Sequence, residues 1–283
     1  MNVFSVMANP TESFELSEKR YNSKTSRNWP YVQSHNGEVK SFALCPACQN
    51  PVLLINRYVA STQSNTLYAR HSGYSVSGLA DYNERAFKNC PFHNPERFDS
   101  KVRRESGSLD QEIRQMLLHH LDLVITQLES LIGIKLTDQV VDAMVLDFSG
   151  NRGYEYKAIS LYNLPIGFAY MTEAKDLYGC KIVDGNVAAK INAKSTGFET
   201  NDWGVVRRKS GAKGTKLRLY FNNHRMGDTY PTKETVDLEV VELKDATTAP
   251  QKICSKTISF SGTLFFNTLM RWERLRQIAV KHL

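Results

Sequence analysis

The sequence predicts an α+β protein in which a small cysteine-anchored module precedes a mixed sheet packed against at least two helices. Three observations predict it. Two Cys-Pro-x-ligand turns stand at Cys45-Pro46-Ala47-Cys48 and Cys90-Pro91-Phe92-His93. A helical apolar repeat runs from Ser108 to Leu131, and short runs of strand-forming residues recur between Val140 and Phe260 before a final amphipathic stretch.

Residues 1–40 are polar and rich in Ser and Asn, with one aromatic cluster, Trp29-Pro30-Tyr31, and read as an extended lead-in. Residues 41–100 form the cysteine module. Each turn places two residues between its ligands, which lets both side chains reach one ion, and thiolate with imidazole is a set that Zn²⁺ favours in closed sites. Cys45, Cys48, Cys90 and His93 are therefore the expected zinc ligands of a zinc-ribbon-like module. His71, in Tyr68-Ala69-Arg70-His71, is the alternative fourth ligand, or a group holding a thiolate from behind. Five cysteines in 283 residues, with no apolar run able to span a bilayer, favour metal over disulfides and a cytoplasmic setting without membrane contact. Cys180 and Cys254 are isolated and read as small buried hydrophobes.

The basic stretch Lys101 to Gly107 reads as a linker, and residues 108–283 as one α+β domain. Ser108 with Gln111 has the spacing of a capping box, and Ile113, Met116, Leu117, Leu121, Val124, Ile125, Leu128 and Leu131 give one apolar face up to Gly133. His119 and His120, about 100° apart on that helix, are expected at solvent or at the boundary. Val140 to Phe148 and Tyr154 to Leu161, flanking a Gly/Asn-rich turn, predict a hairpin; Ile166 to Met171, Leu217 to Phe221, Val236 to Leu243 and Thr257 to Phe260 predict further strands. Leu264, Leu269, Trp272, Leu275 and Ile278, set among basic residues, predict a C-terminal helix.

The composition is that of an ordinary globular protein, and the net charge of +7 favours a polyanionic partner. No phosphate-binding loop and no Ser or Cys nucleophile in a familiar setting is present. On the expected hairpin, Glu155 and Lys157 stand two residues apart and project from one face, across from Asp142, with Asp147 as an alternative. Asp142 and Glu155 could then hold Mg²⁺, with Lys157 orienting an attacking water. A second triplet, Glu173-Ala174-Lys175, shows how readily such spacing arises on a half-exposed strand. Trp203, Arg207, Arg208, Lys209, Lys213, Lys216 and Arg218 lie in a Gly-punctuated segment suited to lay cations along a phosphate backbone with an aromatic ring to stack.

Asp142, the glycine turn and Glu155-Tyr156-Lys157 resemble the Asp…Glu-x-Lys core of restriction-endonuclease-like nucleases. Phe42-Ala43-Leu44-Cys45-Pro46-Ala47-Cys48, with the strand after it and Tyr68-Ala69-Arg70-His71, resembles the start of competence CoiA-like proteins. Together the resemblances cover about 50 residues, and the second knuckle at Cys90 and the basic β-rich tail depart from the CoiA-like pattern. They imply a zinc module ahead of a mixed-sheet nuclease-like domain with a long amphipathic helix and a C-terminal helix. The implied function is a zinc-stabilised, Mg²⁺-dependent nuclease acting on DNA, in DNA processing or in bacterial or phage conflict such as antiviral defence. The alternatives are a non-catalytic zinc-stabilised nucleic-acid-binding protein and an interaction subunit that docks on a partner protein.

Overall fold

The computed structural model describes residues 1–35, 37–59, 64–104, 108–228, 230–244 and 248–283; the last three residues of the expected linker, 105–107, lie outside them. In chain order the first elements are β1 (Val3–Val6), β2 (Asn9–Glu15), α1 (Glu18–Thr25), β3 (Val32–His35), β4 (Glu38–Leu44), β5 (Pro51–Val59), β6 (Ser64–His71) and α2 (Glu84–Lys88). Next come α3 (Ser108–Ile132), β7 (Ile134–Lys135), α4 (Asp138–Gly150), α5 (Leu164–Tyr170), β8 (Lys175–Asp176), β9 (Lys181–Ile182), α6 (Gly185–Lys194), β10 (Phe198–Thr200) and β11 (Val206–Arg208). Three long strands, β12 (Lys216–Arg225), β13 (Glu234–Leu243) and β14 (Gln251–Phe260), and the helix α7 (Gly262–His282) complete the order. The α+β class is as expected, but the expected ranges 1–40, 41–100 and 108–283 are not the units observed. One unit joins Met1–Glu96 to Met226–Lys233 and Ser261–Leu283; the other is Arg97–Arg225 with Glu234–Phe260.

In the first unit an antiparallel sheet runs in the order β2-β1-β4-β5-β6, with β3 also paired to β4. The two-residue period of β4 sorts its side chains. Ala43 and Cys45 join a core with Phe4, Val6, Phe14, Val52, Ala69 and Tyr21, while Phe42 and Leu44 pack with Val76 and Leu79 on the other face. Full burial of side chains of this size contributes about 1.5–3 kcal/mol each. Residues 1–40 are thus no extended lead-in: Phe4, Val6, Phe14 and Tyr21 are too few to stand out among Ser and Asn, yet each fills the core. Ser17 caps α1 by accepting from the Arg20 N–H, and Tyr21 lies edge-on to Phe4 at 5.7 Å. The outermost strand, β2, is covered through Asn267 of α7, whose amide donates to the Ser13 carbonyl at 2.9 Å and accepts from the Ser13 N–H at 2.8 Å. One side chain thereby does for an edge strand what a neighbouring strand would do.

In the second unit the sheet order is β14-β13-β12-β8, all antiparallel, with small pairs β7-β9 and β10-β11 beside it. Alternation is visible in Leu217, Leu219 and Phe221 of β12 and in Val236, Leu238 and Val240 of β13, all buried. The helix expected after Ser108 is present as α3, which packs on α5 and β14 and buries Ile113, Met116, Val124, Leu128 and Ile132. His120 is not at solvent. It is 3 % exposed and sits at a kink, with φ −138° and ψ 30°.

The expected hairpin of residues 140–161 is absent. Residues 138–150 form α4, Gly153–Glu155 form a 3-10 turn, and Ile166 to Met171 fall in and just beyond α5 rather than in a strand. The physical reason is spacing. Val140, Met144 and Phe148 are four residues apart, all are buried, and Thr137 caps the helix by accepting from the Val140 N–H. Gly153 is required by close packing, since a Cβ there would stand 2.3 Å from the Phe148 ring.

Candidate metal centre

Cys45 continues the inward-facing run of Ala43 at the end of β4, and the chain turns back at once into β5. The Gln49 N–H donates to the Cys45 carbonyl at 2.8 Å, the Cys45 N–H donates to the Asn50 carbonyl at 2.9 Å, and Gln49 takes a φ of 58° to close the turn. His71 arrives from β6, where it stands opposite Val52 of β5. Cys90 follows α2, its N–H donating to the Phe87 carbonyl at 3.0 Å. Asn50 ties these pieces together: its amide donates to Cys48 Sγ at 3.3 Å and to the Asn83 carbonyl at 3.1 Å, and accepts from the Asn83 N–H at 2.6 Å. Asn83 is the cap of α2, so one side chain fixes the knuckle and the helix that precedes Cys90.

The Sγ atoms of Cys45, Cys48 and Cys90 and one ring nitrogen of His71 all lie within 4.8 Å of one another. Cys45 Sγ and Cys90 Sγ are 3.6 Å apart, close to the roughly 3.8 Å that two thiolates have in a tetrahedron of 2.3 Å Zn–S bonds. His71 Nε2 is 3.3 Å from Cys48 Sγ. All five cysteines are free thiols, and Cys180 and Cys254 are buried, as expected. The cluster can hold a zinc ion with three sulfurs and one nitrogen.

The expected fourth ligand, His93, is replaced by His71, the alternative. Pairing of β6 with β5 delivers His71 to the knuckle, whereas the His93 ring packs on Phe87 at 3.9 Å between centroids, and Phe87 in turn meets His71 edge-on at 5.1 Å. The donor set fits a closed site. Burial raises the Cys45 and Cys90 thiols above the ordinary thiol range, while hydrogen bonds from those two thiols, and then His71, lower Cys48. One thiolate is thus stabilised at Cys48, and a divalent cation would draw the remaining protons off.

The residues expected to catalyse are placed differently. Asp142 is exposed on α4, Glu155 ends the 3-10 turn, and Lys157 follows it. Glu155 is ion-paired to Arg103 at 2.9 Å and to Arg152, and the Lys157 N–H donates to the Val102 carbonyl at 3.0 Å. The strand geometry that put Glu155 and Lys157 on one face beside Asp142 is not present. Asp147, the alternative carboxylate, instead meets the second triplet: it accepts from the Glu173 N–H at 2.8 Å and is ion-paired to Lys175. Burial opposes the charge on Asp147, but these partners hold its carboxyl below the usual range.

The basic segment forms an arm built on β10 and β11, which pair Thr200 with Val206 and carry Trp203 in the connecting loop, 77 % exposed. Asn201 shapes that loop by accepting from the N–H groups of Trp203 and Val205 at 3.0 and 2.9 Å. Gly204 takes φ 78° where a Cβ would stand 2.8 Å from the Ile182 carbonyl. Arg207 pairs with Glu199 at 3.1 Å, Arg208 donates to the Thr215 carbonyl at 2.7 Å, and Lys209 donates to the Ser195 carbonyl at 2.6 Å. Arg218 is half-buried in β12, and its Nε has no hydrogen-bond partner among the described residues. Lys213 and Lys216 are exposed and make no ion pair among the described residues.

Comparison of the chain with protein-family models, curated proteins and solved structures returned no match. No helix of the described residues is long and apolar enough to cross a membrane.

Proposed function

We propose that the chain is a zinc-stabilised nucleic-acid-binding protein. The observation that carries this reading is the arm: a tryptophan presented at the tip of a short hairpin, with Arg207, Arg208, Lys213 and Lys216 exposed along and after it. An exposed indole offers a stacking face to any unpaired base, and the surrounding cations offer neutralisation of the phosphates between bases. The metal's part is structural. Four protein ligands leave zinc no open position for water or substrate, so its binding free energy goes into folding the first unit.

The test is fluorescence anisotropy with labelled single-stranded DNA, RNA and duplex DNA across a salt series. Single strands bind best, affinity falls log-linearly with salt, and charge reversal at Lys213 and Lys216 lowers the salt slope by about two. Trp203→Ala weakens single strands by about 1–3 kcal/mol and leaves the duplex unchanged. No binding at low salt, or binding indifferent to these substitutions, would refute the reading.

A second reading, Mg²⁺-dependent cleavage of DNA, is favoured by Asp147, which accepts from the backbone N–H of Glu173 and is ion-paired to Lys175. It requires that labelled DNA be cut only with Mg²⁺ and that Asp147→Asn abolish the cutting while Glu155→Ala does not. Cleavage lost in Glu155→Ala alone would return the chemistry to the 3-10 turn.

A further inference from the structure

The second unit contains a cleft that neither the metal centre nor the basic arm uses. It lies between α3 and α4, is lined by Leu118, Leu121, Val145, Phe148, Phe168 and Tyr154, and encloses about 280 Å³. Its walls are mostly apolar, and the polar side chains among them are Arg114, Ser149 and Tyr154. The Arg114 guanidinium lies 5.1 Å from the centroid of the Tyr154 ring and has no hydrogen-bond or ion-pair partner among the described residues.

The cleft exists because α3 divides its apolar residues between two directions. Ile113, Met116, Val124 and Leu128 face the core of the unit, whereas Leu118 is 73 % exposed and Val145 of α4 is 37 % exposed. The kink at His120 falls between Leu118 and Leu121, both of which line the cleft. Two helices therefore present aliphatic side chains to water around a cavity, where an ordinary surface would carry charged pairs.

We propose that this cleft binds a small amphipathic monoanion: an apolar body carrying one carboxylate. The size follows from the volume. An apolar cavity of about 150 Å³ takes benzene, so this cleft accommodates roughly ten to fourteen heavy atoms, a medium-chain acyl group or a bicyclic aromatic. The charge follows from Arg114. A planar guanidinium beside an apolar slot, 5.1 Å from the centroid of an aromatic ring and without an acidic partner among the described residues, is matched by a carboxylate that it can hold with two parallel hydrogen bonds. An uncharged ligand would leave that complementarity unused, and a cation would be repelled by it.

The experiment is calorimetric titration of the full chain with octanoate and 1-naphthoate, each against its uncharged counterpart, octanol and 1-naphthalenemethanol. Both acids bind, and each binds roughly tenfold more tightly than its alcohol. Arg114→Gln lowers the affinity of the acids about tenfold and leaves the alcohols unchanged. Ser149→Trp, which fills the slot from its rim, removes all four, while the circular dichroism spectrum and zinc content of both variants stay as in the wild type. Failure of either acid to bind at millimolar concentration overturns the proposal, as does acid binding that survives Ser149→Trp or is indifferent to Arg114→Gln. A cleft that instead accepts an apolar side chain of a protein partner gives the first of these results.

Discussion

Glu234 and Glu242 stand on the same strand, β13, each with no solvent exposure, and their surroundings push their carboxyl groups in opposite directions. At Glu242 burial raises the pKa, but hydrogen bonds from Ser195, Thr196 and Gly197 outweigh it and the net shift is downward. Three of these are direct: the Thr196 N–H at 2.9 Å, the Thr196 hydroxyl at 2.7 Å and the Gly197 N–H at 2.9 Å. At Glu234 burial dominates and the pKa is raised. Its partner is His224, whose Nδ1 accepts from the Phe98 N–H at 3.0 Å. The proton of that imidazole is therefore on Nε2, which donates to Glu234 Oε1 at 3.1 Å.

Glu242→Gln is expected to cost about 1.5–3 kcal/mol at pH 7, the net worth of hydrogen bonds to a charged group. The folded pKa is depressed, so the stability from Glu242 is present above the unfolded value of about 4.3 and is lost as pH falls through the folded pKa. Urea unfolding at pH 7 and pH 3 checks this: the gap between wild type and variant closes at the lower pH.

Glu234→Gln moves the other side of the profile. A raised folded pKa gives stability that is full below about pH 4.3 and is lost as pH rises through the folded value, with a slope of up to about 1.4 kcal/mol per pH unit between the two. The variant has no proton to lose. Its stability from pH 4 upward is flatter than the wild type's, whatever the substitution costs overall, and an unchanged slope would show that Glu234 is ionised throughout.

At the metal centre the expected content is one zinc per chain. His71→Ala lowers zinc affinity by more than the roughly 10–100-fold that loss of an outer partner brings, Asn50→Ala falls within that range, and His93→Ala stays within about threefold of wild type. Competition against a chromophoric chelator measures all three. Equal losses in His71→Ala and His93→Ala would mean that both rings reach the ion in turn.

The first knuckle was legible because Cys-x-x-Cys needs only a tight turn, which the sequence supplies locally. The fourth ligand was not, because the choice between His71 and His93 is made by pairing of β5 with β6, a non-local event. Strands β12, β13 and β14 were legible in part: the expected 217–221, 236–243 and 257–260 each lie inside a strand of ten residues. Residues 140–148 misled because Val140, Val141, Met144, Val145 and Leu146 satisfy a buried strand as well as a helix, and a run this short does not separate the two periods. The carboxylates placed on that segment inherited the error, whereas the arm around Trp203 needed only a short loop shaped by Asn201 and Gly204.

That ambiguity has a direct test. A strand would put Met144 and Leu146 on one face, since residues two apart share a side, but on α4 Met144 is 1 % exposed and Leu146 is 71 % exposed. Met144→Ala is therefore expected to cost about 2–5 kcal/mol, the range for truncating a buried side chain of this size. Leu146→Lys is expected to stay within about 0.5 kcal/mol, as substitutions on a solvated helix face do. Chemical denaturation of the two variants side by side reads the difference, and comparable losses in both would restore the strand. The same pair bears on the catalytic residues first expected, because Asp142 and Met144 share a face only if the segment is extended; on the helix Asp142 is turned to solvent while Met144 is buried beneath it.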